Sequence, residues 1–218
     1  MSAATDIVPV GASVVIPVGA VDAGLDRQVE AVFGQTAVDR FECILALNCP
    51  TPIDPADVAR RWEVPEHISL RVLPARERRG AAYARNIGAR HARGDLLAFC
   101  DADDVAETGW LYALIEALAE LDAVTGCVID VFPDRRSASW HPPATPDTLP
   151  RFLGRPYLLS GNLGVRRAAF EMVGGFDESL TRCEDIALGW ALTRAGFTIG
   201  YAPDAHLSYF HRVGFAAM

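Results

Sequence analysis

The chain has 218 residues, half of them apolar, enough for one sizeable core without disulfide staples. A formal net charge of −8 excludes a general nucleic-acid-binding surface. The cysteines, Cys43, Cys49, Cys100, Cys127 and Cys183, are odd in number and lack Cys-x-x-Cys spacing, which argues against a zinc knuckle or a disulfide framework.

Met1 to Val10 has neither the basic start nor the long apolar run of a signal peptide. No apolar stretch approaches the length of a bilayer span. The expectation is a cytoplasmic protein without a transmembrane segment, a peripheral membrane contact staying open. Ser13 to Val18 reads as a buried first strand ended by proline and glycine. Asp22 to Gln35 has helical spacing, with apolar Leu25, Val29, Val32 and Phe33. Phe41 to Leu47 is a second buried strand, and Asp54 caps a helix with Pro55 at its first position. His67 to Leu73 alternates like a strand, and Gly80 to Arg93 is an alanine-rich helix closed by Gly94. Asp95 to Cys100 is another buried strand, followed by a helix from Glu107 to Leu121. Ala123 to Val131 and Leu158 to Val165 read as strands. The stretch Pro133 to Pro150 between them, containing Trp140 and His141, is a long loop. Arg167 to Val173 and Glu184 to Ala195 are helical, the second closed by Gly196. Phe197 to Tyr201 and His206 to Phe210 are late strands. Strands alternating with helices predict an α/β fold with a mostly parallel sheet.

Three clusters carry candidate chemistry. The first is Asp101-Ala102-Asp103-Asp104, directly after a buried strand. In open α/β sheets ligands bind at that edge, and a hard divalent cation relieves the crowding of carboxylates. The alternative is a solvated turn in which Asp103 or Asp104 caps the helix near Glu107. The second is Glu184-Asp185 at a helix start, where acids also suit the macrodipole. The third is His206 and His211, five apart, so that on a regular strand at most one faces a given site. A run of arginines, including Arg76, Arg78, Arg79, Arg85, Arg90 and Arg93, precedes the acidic turn. It is either a solvated face or a source of counter-charge for a diphosphate.

The order of these pieces resembles the family 2 glycosyltransferases of GT-A fold, from about Ser13 to Arg212. The matching pieces are the strand Ser13 to Val18, Gly80 to Gly88 with its Arg85-Asn86, and Gly94 to Asp104. Gly161-Asn162, Arg166 to Phe170, Val173 to Glu178 and Glu184-Asp185 complete the set. The resemblance implies one GT-A domain over 1–218, a Rossmann-like, mostly parallel central sheet flanked by helices. Its nucleotide-binding half covers about 11–104 and its acceptor half about 105–212. It also implies a metal-dependent, inverting transfer of a sugar from a nucleotide-diphospho-sugar to a hydroxyl on a glycan, lipid-linked or small-molecule acceptor, in bacterial glycan or glycoconjugate synthesis. Asp185 is then the catalytic base, supported on the acceptor side by Glu184, Asn162 and Trp140. Pro17, Val18, Asn48, Arg85 and Asp101 bind the nucleotide-sugar. Asp103 and His211 hold Mn²⁺ or Mg²⁺.

Two places depart from the family pattern. Gly19-Ala20 replaces an aromatic and an asparagine after the first strand. The second strand ends Leu47-Asn48-Cys49-Pro50 instead of in paired aspartates. An aspartate there accepts a hydrogen bond from a uracil N–H; Leu47 cannot, and Asn48 can do so only through its amide oxygen. The altered pocket keeps a second reading open, a catalytically weak or silent GT-A module that serves as a binding or scaffold protein. A sugar-nucleotidyltransferase needs a glycine-rich, arginine-bearing loop after the first strand, which Gly19 to Asp22 does not supply.

Overall fold

Strands β1 (Ala12–Val18) and β2 (Phe41–Leu47) are buried at every one of their residues. Such continuous apolar runs belong to the centre of a sheet covered on both faces. In the computed structural model, which describes residues 11–133 and 148–211, they lie side by side in parallel. Strand β3 (Ile68–Pro74) adds in parallel to β2, and β4 (Leu96–Cys100) to β1. The remaining strands are β5 (Val105–Ala106), β6 (Ala123–Val131), the hairpin β7 (Arg151–Phe152) and β8 (Arg155–Pro156), β9 (Asn162–Arg166) and β10 (Ile199–Phe210). The main sheet has eight strands in the order β3-β2-β1-β4-β9-β6-β10-β5. Strand β9 is antiparallel to both β4 and β6, β10 is parallel to β6, and β5 is antiparallel to β10.

The sheet has to curl. Only residues 101–104 join β4 to β5, yet three strands lie between them in the sheet. Four strand spacings span roughly 19 Å in a flat sheet. Five Cα steps reach about 19 Å only if fully extended, and 102–104 are turn and bend. Curling brings the far edge, β10 and β5, back towards the tip of β4.

Helices α1 (Ala23–Phe33) and α4 (Trp110–Ala117) cover one face, burying Leu25, Val29, Val32, Trp110, Leu111 and Leu114. The short α2 (Pro55–Ala59) begins at an Asp54 cap, whose Oδ1 accepts the Ala56 N–H at 2.9 Å. Helices α3 (Ala81–His91), α5 (Arg167–Met172) and α6 (Glu184–Arg194) cover the other face with Ala82, Ala89, Ala169, Phe170, Leu188 and Leu192. No helix of the described residues is long and apolar enough to cross a membrane.

Several boundaries differ from the sequence reading. The two late strands are one, β10, bent by an irregularity between Ala202 and His206. Strand β9 starts at Asn162 and runs against its neighbours. Helix α4 begins only at Trp110, after Gly109 at φ 84°, so neither Asp103 nor Asp104 caps it; β5 intervenes. Gly94 does not cap α3, whose C-cap is Ala92. It is required because the backbone of β1 passes too close. A Cβ there lies 2.7 Å from the Ala12 carbonyl carbon and 2.8 Å from Ser13 N. The Gly94 N–H also donates to Ser13 Oγ at 2.9 Å, and that hydroxyl donates to the fully buried Glu42 at 2.6 Å. Gly94→Ala should lower unfolding stability by about 1–3 kcal/mol, the usual cost of overpacking, read as a lower urea midpoint with unchanged slope.

Candidate active site

The parallel strands end along one edge, and the loops after β1, β2, β3 and β4 open there, as loops do in α/β sheets that bind ligands. Asp101 stands immediately after β4. Gln28 of α1 donates to its backbone oxygen at 2.9 Å. Asp103 lies against the start of α1: a Cβ on Gly24 is 3.4 Å from the Asp103 Cα. Asp104 is buried at 1% exposure.

The centre of the site is Arg85, in the middle of α3 and only 3% exposed. Its Nη2 donates to Asp101 Oδ1 at 2.5 Å and its Nη1 to Glu184 Oε1 at 3.0 Å. Burial alone pushes the guanidinium towards losing its proton; Asp101 and then Glu184 outweigh that and hold it more firmly charged than a free arginine. One planar cation thus ties the acidic turn after β4 to the first residue of α6. Its carbon Cζ also sits 5.5 Å over the Phe176 ring.

The neighbouring residue on α3 makes a second tie. Asn86 Oδ1 accepts the Phe176 N–H at 3.0 Å, while its Nδ2 donates to the Phe176 carbonyl at 2.8 Å and to Glu178 Oε1 at 2.9 Å. Phe176 packs with Phe99 and Phe170 at 5.4 Å centroid distances. Gly175, at φ 74°, permits this approach, since a Cβ there meets Asn86 Oδ1 at 2.7 Å. The segment Gly174 to Glu178 is therefore anchored to α3.

Asp185 differs from its neighbour Glu184. It accepts the Ile186 N–H at 2.8 Å. Burial pushes its carboxyl above the ordinary aspartate value, outweighing that hydrogen bond, and the adjacent Glu184 charge adds to the rise. Cys183, before them, has a left-handed backbone at φ 64° and offers no side-chain cap to α6.

His211 follows β10. Its Nε2 pairs with Asp130 Oδ1 at 2.8 Å, and its ring stacks on Phe132 at 4.2 Å. The β5–β10 pairing sets Val105 opposite Ser208. Arg27 of α1 lies 5.5 Å over Phe210, one turn from the Gly24 that touches Asp103. Phe210, the residue before His211, and Asp103 thus both border the first turns of α1. Among the described residues no three His, Cys, Asp or Glu side chains form a ready cation shell. The Asp103 carboxylate and the His211 imidazole, held by Asp130, are each of a type that ligates Mn²⁺ or Mg²⁺.

The profile of the family described as Glycosyl transferase family 2 matches residues 13–175. The chain belongs to glycosyltransferase family 2. It is 27% identical over 215 residues to the pre-mycofactocin glycosyltransferase of Mycobacterium tuberculosis, covering 92% of this chain and 43% of that protein. It is 30% identical over 236 residues to the validoxylamine A glucosyltransferase of Streptomyces hygroscopicus subsp. limoneus, covering 90% and 50%. The chain thus spans half or less of these two relatives. Among solved structures it resembles S. aureus TarS 1–349 in complex with UDP-GlcNAc (TM-score 0.69, 19% identity, 94% of this chain and 59% of that one). It also resembles GalNAc-T7 with UDP, GalNAc and Mn²⁺ (0.70, 16%, 95% and 45%). The fold is GT-A.

Within this family 2 chain three residues expected to meet substrate have other work. Asn162 is fully buried; its Oδ1 accepts Trp110 Nε1–H at 2.8 Å, and its Nδ2 donates to the Ala205 and Cys127 carbonyls at 2.9 and 3.0 Å. It stitches β9 to β6 and β10 and cannot touch an acceptor. Arg85 spends both terminal nitrogens on protein carboxylates. Asn48 donates to the Ala75 and Arg78 carbonyls and accepts the Gly80 N–H at 3.0 Å, so its amide shapes the loop before α3. Pro17 and Val18 are buried at the end of β1, where the Val18 carbonyl accepts the Asn48 N–H at 2.8 Å. Trp140 lies outside the described residues. Sequence reasoning met Asn86 only as part of the Arg85-Asn86 motif, without a role, and missed Asp130, which stands in no acidic or histidine cluster.

Arg85→Lys should fail to replace arginine, because one ammonium cannot span two carboxylates as a planar fork does. With Asp101 33% and Glu184 15% exposed, solvent screening keeps the loss near the lower end of the range for broken buried pairs, about 3 kcal/mol, in urea unfolding.

Proposed function

We propose that this chain catalyses metal-dependent, inverting transfer of a sugar from a nucleotide-diphospho-sugar to a hydroxyl acceptor. The observation that carries this reading is the Arg85 bridge, which ties Asp101 of the Asp-x-Asp turn to Glu184 at the helix start it shares with Asp185. The donor half is taken as about 11–104 and the acceptor half as about 105–212. The solved relatives carrying UDP-GlcNAc, or UDP with Mn²⁺, support a UDP-type donor and a divalent cation.

In this reading Asp185 accepts the proton of the acceptor hydroxyl. The oxygen attacks the anomeric carbon opposite the leaving group, the bond to the diphosphate oxygen breaks, and the anomeric centre inverts. A carboxylate of raised proton affinity suits that task, because a weakly basic one takes up the proton poorly. Asp103 and His211 would hold the cation, which when bound supplies charge neutralisation to the departing diphosphate. Asp130 keeps the His211 ring in place, and Asp101, fixed by Arg85, borders the donor site.

The commitment of Asn48 to backbone groups favours the second reading, a silent binding module. Calorimetry with nucleotide diphosphates and Mn²⁺ separates the two. Binding of a diphosphate only with the metal supports the enzyme; no binding of any diphosphate supports the silent module.

Asp185→Asn should cut kcat by about 10²–10⁴-fold, the usual worth of a general base, while leaving Mn²⁺-dependent donor binding intact. Full transfer by the variant would remove Asp185 from the role. Asp185 holds its proton to higher pH in the folded chain than unfolded. Folding stability is therefore lost as pH rises from the unfolded aspartate value through the folded one, and remains lower above it. The asparagine variant should melt no lower than the wild type at neutral pH. The acid limb of the kcat/KM profile should lie above the ordinary aspartate value, because the ionised form is the active one.

A further inference from the structure

The hairpin β7–β8 turns through Leu153 and Gly154, both with positive φ (49° and 75°), the pattern of a two-residue type I′ turn. That turn favours asparagine or aspartate before the glycine. A leucine there bears left-handed strain and gains nothing from packing, since it is 81% exposed, the highest value among the exposed large apolar residues. Phe152 beside it is 47% exposed. Two costs at one residue point to a contact made outside the chain.

The flanks identify the partner's chemistry. Arg151 and Arg155 bracket the apolar tip, and neither makes an ion pair among the described residues. Arg151 Nη1 donates to the Gly154 carbonyl at 2.8 Å, and Arg155 lies 4.6 Å over the Trp190 ring. On a chain of net charge −8, this is a local basic collar around an aliphatic tip. Aliphatic groups between arginines suit the boundary of an anionic bilayer, where the tip enters the acyl region and the guanidinium groups meet phosphate. A glycan, by contrast, offers an aliphatic leucine no hydrogen-bonding use.

The hairpin is mounted on α6. Phe152 stacks on Trp190 at 6.2 Å, and Trp190 lies on the helix that begins with Glu184-Asp185. We infer that the Arg151–Arg155 hairpin is a membrane-contact element that docks this chain reversibly on anionic lipid. That the acceptor itself resides in that membrane would rest on the proposed transferase reading; the docking does not.

The test is co-sedimentation with phosphatidylcholine vesicles with and without phosphatidylglycerol, which needs no transfer activity. Wild type should bind the phosphatidylglycerol vesicles. Leu153→Asn should weaken that binding by about tenfold or more, on the loss of one inserted leucyl side chain. The same variant should melt at or above the wild-type temperature, because asparagine tolerates the left-handed turn; a binding loss is then not an unfolding artefact. Arg151→Glu should weaken binding and abolish the preference for anionic vesicles. Wild type that ignores both vesicle types, or Leu153→Asn that binds like wild type, overturns the inference. So does concentration-dependent self-association that Leu153→Asn removes without any vesicle binding, which would assign the tip to a second copy.

Discussion

The active-site region depends on one buried cation. Arg85 leaves water almost completely, and a lone guanidinium in that position is untenable. Two carboxylates make it tenable, one at the end of β4 and one at the start of α6. Because the fork is rigid, its two nitrogens fix the spacing of elements that are 83 residues apart between Asp101 and Glu184. Such a triad contributes less to net stability than its geometry suggests, since each charge has been desolvated. Its larger effect is geometric: in this register of α6 against β4 all three charges find partners. Asn86, one residue on, adds neutral hydrogen bonds to the loop before Glu178. Helix α3 is therefore the beam on which both halves of the site are hung.

Two adjacent acids then take opposite tasks. Glu184 is consumed by Arg85. Asp185 is turned elsewhere, is partly desolvated and has its proton affinity raised by burial before any other cause. Neighbours one residue apart on a helix face directions about 100° apart, so a first-turn pair can serve a structural cation and a reaction at once. On the proposed reading, the pairing of an anchored with a poised carboxylate divides labour by environment and not by residue type.

The fold was largely legible in the sequence, because its signals are local and strong. Ser13 to Val18 and Phe41 to Leu47 are apolar without interruption, and Asp54-Pro55 marks a helix start. The antiparallel insertion of β9 was not legible. Direction within a sheet is set by how the sheet closes, and nothing in Asn162 to Arg166 encodes it locally. The acidic turn and the helix-start pair were legible as clusters. The partners of Asn162, Arg85 and Asn48 were not, because amide and guanidinium groups serve ligand or backbone equally well, and only burial separates the two. Asp130 was invisible for a related reason: an isolated acid near the end of a strand acquires meaning only when the pairing of β6 with β10 sets it beside His211.

Strain marks the same region that charge does. Among the described residues Ala37, Leu153 and Cys183 are the non-glycine positions with positive φ. Two of the three adjoin α6, Cys183 at its N-terminus and Leu153 in the hairpin that Phe152 seats on Trp190. Each left-handed residue costs about 1–2 kcal/mol, and it persists only where surrounding contacts over-determine it. Here Leu188 and Leu192 supply that constraint by burying the inner side of α6 at 1% and 0% exposure. The helix is thus rigid along its core face, anchored at its first residue by Arg85, and strained at the segments that point outward. The proposed base and the inferred surface contact can share one short helix on those terms, because the contact cannot shift the hairpin without moving a helix that the core and the arginine both resist.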